Sequence, residues 1–229
     1  PASIVQFLTV LIVLVTINAV NFIDGLDGLA AGIVAVSAAA FFAFSYLLAV
    51  VYGFSRAGAP SLMTAVIIGV CIGFLPHNWH PARIFMGDSG SMLLGLVLAA
   101  SAITLTGQID PNAISEAKLG PTLLPLFLPF AVLAIPLSDL VLAVIRRIAK
   151  GKSPFSPDKE HLHHRLMSAG KTQQRTAVIM YLATATIAFP VTIAAFQPIW
   201  VAALSAVVLL AITISVYRLK LEKVAKVNG

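Results

Sequence analysis

Long apolar blocks, each near the length of a bilayer crossing and separated by short polar stretches, leave this chain few ways to fold. A bilayer core needs ~20 consecutive apolar residues as a helix. About seven stretches come near that length, at 3–20, 29–52, 61–76, 90–106, 121–145, 177–196 and 199–217, the third being short for a full crossing. Charged residues make up 10% of the 229, against roughly 25% in an average soluble domain. So little charge cannot cover a water-facing surface. The expected fold class is all-α: a polytopic membrane protein of about seven transmembrane helices, forming one transmembrane domain over 1–229. Pro125, Pro129 and Pro136 should kink or break the fifth span. The lone Cys71 lies in an apolar block and reads as a buried hydrophobe.

The charges assign the sides. Of fifteen Lys and Arg, thirteen fall in segments that seven spans would place together: Arg83 in the loop 77–89, eight in a basic, His-bearing loop at 146–176, and four in the C-terminal tail. Only Arg56 and Lys118 fall opposite. Because positive loops stay inside, the N-terminus is expected outside and the C-terminus in the cytoplasm.

Three segments on that basic side carry side chains that topology alone does not require. The first holds Asn18, Asn21, Asp24 and Asp27 at intervals of three, with Gly25 and Gly28 between them. If helical, it would project all four polar groups along one face. The second runs Asn78-Trp79-His80-Pro81-Ala82-Arg83-Ile84-Phe85-Met86-Gly87-Asp88-Ser89-Gly90-Ser91. Its Gly87-Asp88-Ser89-Gly90 reads as a tight turn into a helix, with Asp88 or Ser89 as N-cap and an N-terminus able to favour phosphate. The third contains His161, His163, His164 and Arg165. That spacing suits zinc poorly, while His and Arg both donate to anionic oxygens. Asp139, inside the fifth span, is either a functional acid or a structural partner for a buried Arg or backbone amide. Carboxylates beside an anionic substrate would repel it without a cation, and oxygen ligands of this kind suit Mg2+ or Mn2+. Together the segments fit phosphoryl transfer, which depends on positioning and charge neutralisation. A transporter also uses intramembrane acids, but it needs access from both sides, and the acids here gather on one.

NAVNFIDGLDGLAAG, PARIFMGDSGS and SPDKEHLHHRL each match, in order, a motif of the polyprenyl-phosphate N-acetylhexosamine-1-phosphate transferases, glycosyltransferase family 4. The chain resembles the WecA and TagO members more than MraY, whose turn usually reads GDVGS. The resemblance implies transfer of GlcNAc-1-phosphate from UDP-GlcNAc to undecaprenyl or decaprenyl phosphate, releasing UMP, as the first membrane step of a cell-envelope glycan. The alternative within the family is an MraY-like transferase with a peptide-bearing donor. It implies Mg2+ (or Mn2+) held by Asp88, with Asn21 as second ligand, and Asp24 and Asp27 as acids of the cleft. Asp27 falls where the family contacts uracil, Phe85 where it stacks on uracil, and Asn78 beside them. His161, His163, His164 and Arg165 match a loop that closes over pyrophosphate and sugar. The implied partners are the UDP-sugar donor, the lipid acceptor and the membrane, with no nucleic acid; a homodimer is one allowed assembly. The family also carries an Asp-Asp pair on an earlier cytoplasmic loop, and no adjacent Asp pair occurs here. The expectation is therefore that the chain is the C-terminal portion of the enzyme, and that 1–229 alone is inactive.

Overall fold

A computed structural model describes residues 2–51, 53–54, 57–106, 131, 134–151, 153 and 162–219. The described residues form eight helices: α1 (Ala2–Ile23), α2 (Leu29–Val50), α3 (Gly58–Asn78), α4 (Gly87–Thr106), α5 (Ala134–Ala149), α6 (Leu162–Ser168), α7 (Gln173–Phe196) and α8 (Ile199–Arg218). The all-α expectation holds, and six helices, α1 to α4, α7 and α8, are long and apolar enough to cross a membrane.

Three expectations change. The third span is full length, running Gly58–Asn78, because Pro60 falls in its first turn, where an N–H is not needed, and Pro76 falls in its last. Of the fifth span, residues 121–130 and 132–133, with Pro125 and Pro129, lie outside the described residues; Pro136 falls in the first turn of α5, where a missing N–H is tolerated, and α5 is not among the six candidates. The basic segment 146–176 is not simply a loop: it holds the end of α5, the short α6 and the first turn of α7.

α2 is the hub. It packs on α3 and α7, while α1 lies along α4, α3 also meets α4, and α8 packs on α7. Phe41 and Phe44 of α2 are fully buried among Leu94 and Leu98 of α4, Ile67 and Cys71 of α3 and Ala188 and Ala195 of α7. α8 is the least enclosed span, and Trp200, Leu204, Val207 and Val208 face outward, as a lipid-facing helix requires.

Small residues set how closely the helices approach. A Cβ on Gly32 would come within 2.2 Å of the Tyr181 ring, so α2 and α7 touch through glycine. A Cβ on Gly95 would stand 2.9 Å from the backbone Cα of Ile17, so α4 rests directly on α1. Those two contacts fix the helix ends on which the polar segments sit.

Candidate active site

The polar segments converge at one end of the bundle, around the turn 24–28. α1 stops at Ile23, and the Asp24 N–H donates to the Asn21 carbonyl (3.1 Å). Gly28 then takes a left-handed φ of 75° as the chain enters α2, a conformation that penalises any Cβ. Asp24 and Asp27 are therefore turn residues, and the expected helical row is broken. Asn18 bonds back to the Leu14 carbonyl (2.7 Å) and takes no part.

The turn is gripped from two sides. The Gly28 N–H donates to Asn78 Oδ1 (2.9 Å), and the Tyr181 hydroxyl donates to the Gly28 carbonyl. Asn78, buried at the end of α3, also donates Nδ2 to the Ile84 carbonyl (2.8 Å). The N–H groups of Arg83 and Ile84 donate to His77 O, closing the loop 79–86 against α3. Expected as a nucleotide contact, Asn78 has both its described bonds on backbone and braces the floor of the site.

The carboxylates separate into two poles. At the first, α4 begins at Gly87 with exposed Asp88 in its first turn, so Asp88 lies just inside the helix. Asn21 Nδ2 lies 3.0 Å from both Asp88 Oδ1 and the buried Ser91 Oγ, and Ser91 in turn donates to the Gly87 and Asp88 carbonyls. Burial, and secondarily the nearby Asp88 charge, push the Asp24 carboxyl up to about 6. At the second pole, Asp27 Oδ2 sits 2.7 Å from His80 Nδ1 and accepts from the Ala82 N–H (3.2 Å). Phe85, on the same loop, is 74% exposed.

The histidine segment divides likewise. His161 lies outside the described residues. His163 is 1% exposed, and its ring lies over Gly25, where a Cβ would stand 2.9 Å from Nε2. Its neighbours His164 and Arg165 are exposed on α6, since consecutive helical residues point about 100° apart. Asp139, 2% exposed, accepts the Leu162 N–H (2.9 Å), which makes it the cap of α6 and realises the structural alternative for this acid.

Sequence reasoning overlooked His80, Ser91 and Tyr181. His80 sits inside a segment already singled out, and its lone imidazole beside a proline on the charged side was the available signal. Ser91 closes the same segment and its GDSGS turn, whereas Tyr181 gave no signal, because it acts through a partner distant in sequence.

Three sets of helix ends (α1/α2, α3/α4 and α5/α6) thus bring oxygen donors and imidazoles together. Among the described residues, no three His, Cys, Asp or Glu side chains could hold a metal by themselves. Asp24, Asp88 and Asn21 form a partial set of hard oxygen donors, of the kind Mg2+ completes with water and phosphate oxygens.

Residues 1–106 match the model of glycosyl transferase family 4. The decaprenyl-phosphate N-acetylglucosaminephosphotransferase of Mycobacterium leprae is 49% identical over 130 residues, 57% of this chain and 33% of that protein. A probable undecaprenyl-phosphate N-acetylglucosaminyl 1-phosphate transferase of Bacillus subtilis is 37% identical over 120 residues, 52% of this chain and 30% of the relative. The Escherichia coli undecaprenyl-phosphate alpha-N-acetylglucosaminyl 1-phosphate transferase is 37% identical over 107 residues, 46% and 26% respectively. The matched stretch spans about a third or less of the length of these relatives.

Proposed function

We propose that the protein, whose residues 1–106 match the model of glycosyl transferase family 4, transfers GlcNAc-1-phosphate from UDP-GlcNAc to a polyprenyl phosphate at the cytoplasmic membrane face. The observation that carries this reading is the meeting of Asp24, Asp88 and Asn21 where α1 and α4 end and begin. Burial and the nearby Asp88 charge make Asp24 costly to ionise, which is a poor resting arrangement and a good cation site. A bound Mg2+ or Mn2+ would there neutralise charge on the donor pyrophosphate.

The chain's own residues do the rest. Asp88 and Asn21 would hold the cation side of the pyrophosphate, braced by Ser91. The N-terminus of α4 adds its positive end to the same anion. His164 and Arg165, exposed on α6, are the donors available to phosphate and sugar oxygens. Asp27 and Phe85 form a separate pole for the base, one offering an acceptor and the other a ring face. An oxygen of the lipid phosphate attacks the β-phosphorus, a new P–O bond forms, the bond to the α-phosphate oxygen breaks, and UMP leaves with that electron pair. The lipid enters from the bilayer between helices. The basic residues around this end, Arg83, Arg146, Arg147, Lys171 and Arg175 among them, support its cytoplasmic placement by the positive-inside rule.

Membranes carrying the protein at its natural full length, supplied with radiolabelled UDP-GlcNAc, polyprenyl phosphate and Mg2+, test the reading. Label should enter the lipid phase with release of UMP, and Asp88→Asn should lower the rate at least about a hundredfold. Unlabelled lipid together with turnover of a peptide-bearing UDP-MurNAc donor would move the donor assignment. No turnover of either donor would sink the transferase reading.

A further inference from the structure

Asp24 and Asp27 lie three residues apart in one turn, yet they face different partners. Asp24 feels Asp88, whereas Asp27 is turned toward the loop 79–86. Both bonds that Asp27 makes to the described residues fall on Oδ2: the imidazole of His80 at 2.7 Å and the N–H of Ala82 at 3.2 Å. Oδ1 is bonded to none of them. The Asp27 side chain is 18% exposed, so its approach is restricted without being closed.

His80 is itself held. Its carbonyl accepts from Gln174 Nε2 (2.8 Å) at the start of α7, and Asn78, two residues before it, ties the Ile84 carbonyl of the same loop to the Gly28 N–H. With Nδ1 facing a carboxylate oxygen at that distance, Nδ1 carries the proton, and the ring acts as an oriented donor.

Resting on the transferase reading above, we propose that His80 is a positioning residue: by holding Asp27 Oδ2 it withdraws this carboxylate from the cation pole and presents Oδ1 to an N–H donor of the nucleotide. The imidazole also partly compensates the Asp27 charge, so an anionic donor molecule meets one uncompensated acidic pole rather than two.

The test compares wild type, His80→Ala and His80→Asn at natural full length. UDP affinity is measured by calorimetry in detergent, and KM, kcat and the Mg2+ concentration for half-maximal rate are measured in membranes. Asn places Nδ2 near the position of the imidazole Nδ1 and keeps the donor. His80→Ala should weaken UDP binding and raise the donor KM about tenfold, the scale of one hydrogen bond to a charged group. Its kcat and Mg2+ dependence should stay within about twofold, and His80→Asn should restore most of the affinity. A lower kcat at unchanged UDP affinity, or a shifted Mg2+ requirement, overturns the proposal, because Asp27 would then serve the chemistry or the cation. So does equal loss in both variants, which marks His80 as a packing residue. Wild type that binds UDP tightly but transfers nothing defeats the transferase reading instead, while the affinities of the variants still decide the role of His80.

Discussion

Replacing Gly95 with Ala should separate activity from stability. A Cβ there would stand 2.9 Å from Ile17 Cα and 3.2 Å from Thr16 O, both backbone atoms that cannot rotate away. Carbon contacts are comfortable at about 3.5–4.0 Å, so α1 and α4 must part by roughly 0.5–1 Å. Overpacking of this kind costs about 1–3 kcal/mol, and the better helix propensity of Ala returns up to about 1 kcal/mol. The net loss of stability is therefore between about zero and 3 kcal/mol. The site is affected as well. One turn along the same contact, Asn21 Nδ2 makes its two 3.0 Å contacts with Asp88 and Ser91, and a shift of that size takes both beyond hydrogen-bonding range. Misplacing a ligand-holding group by about 1 Å costs on the order of a hundredfold in rate. Turnover in membranes is read beside thermal unfolding in detergent, with Gly69→Ala and Gly73→Ala on α3 as controls, since a Cβ at either meets nothing within 4 Å. The controls should keep full activity. If Gly95→Ala keeps kcat within about twofold of wild type, the argument that this contact sets the Asn21–Asp88 geometry is wrong.

Asp24 should make stability depend on pH in the direction opposite to an ordinary salt-bridged acid. Its folded carboxyl titrates near 6 against 3.8 unfolded, so the fold holds the proton more tightly. The native state is then favoured below that window and loses this advantage as pH rises through 6. In chelator, wild type should melt lower at pH 8 than at pH 5 relative to Asp24→Asn; parallel melting curves would contradict the assignment. Asn78→Ala should destabilise by about 2–4 kcal/mol, measured by denaturant or heat, because it strands the buried Gly28 N–H and frees the 79–86 loop. Gly25→Ala should lower both turnover and melting temperature, because its Cβ would stand 2.9 Å from the buried ring of His163 and displace it from the turn.

What the sequence made legible is what depends on local composition. Hydropathy located six described spans, since an apolar helix in lipid has to satisfy its own backbone. The segments around Asp24, Asp88 and His163 stood out for the complementary reason, that charge at a membrane boundary is costly unless used. The reading of Asn18 to Asp27 as one helical face failed at Ile23, where α1 ends and the turn that closes on Gly28 begins. Beyond the end of the helical path, the spacing of three loses its meaning. The rings of His163 and His164 lie 4.3 Å apart, one buried and one exposed, while His161 lies outside the described residues. Asp139 was undecidable from sequence: whether a buried acid caps a helix or does chemistry depends on what the fold brings to it, and the fold brings the Leu162 N–H.

Pairings across the chain account for the rest. His80 meets Asp27 across 53 positions, Asn21 meets Asp88 across 67, and Tyr181 reaches Gly28 across 153. No local pattern encodes these distances, but glycine permits two of them. Gly32 lets the Tyr181 ring lie on α2, so that its hydroxyl arrives at the next turn, and Gly95 lets α4 sit on α1, so that Asp88 arrives at Asn21. The two poles of the site thus hang from two glycine-mediated helix contacts, α2 on α7 and α1 on α4, which the short turn between Ile23 and Leu29 joins along the chain. Perturbing one contact should therefore damage one pole first. A bulkier residue at 95 should act through the cation side and leave UDP affinity nearly intact. A bulkier residue at 32 should act through Gly28 and the base side, and weaken UDP binding before it alters the Mg2+ dependence.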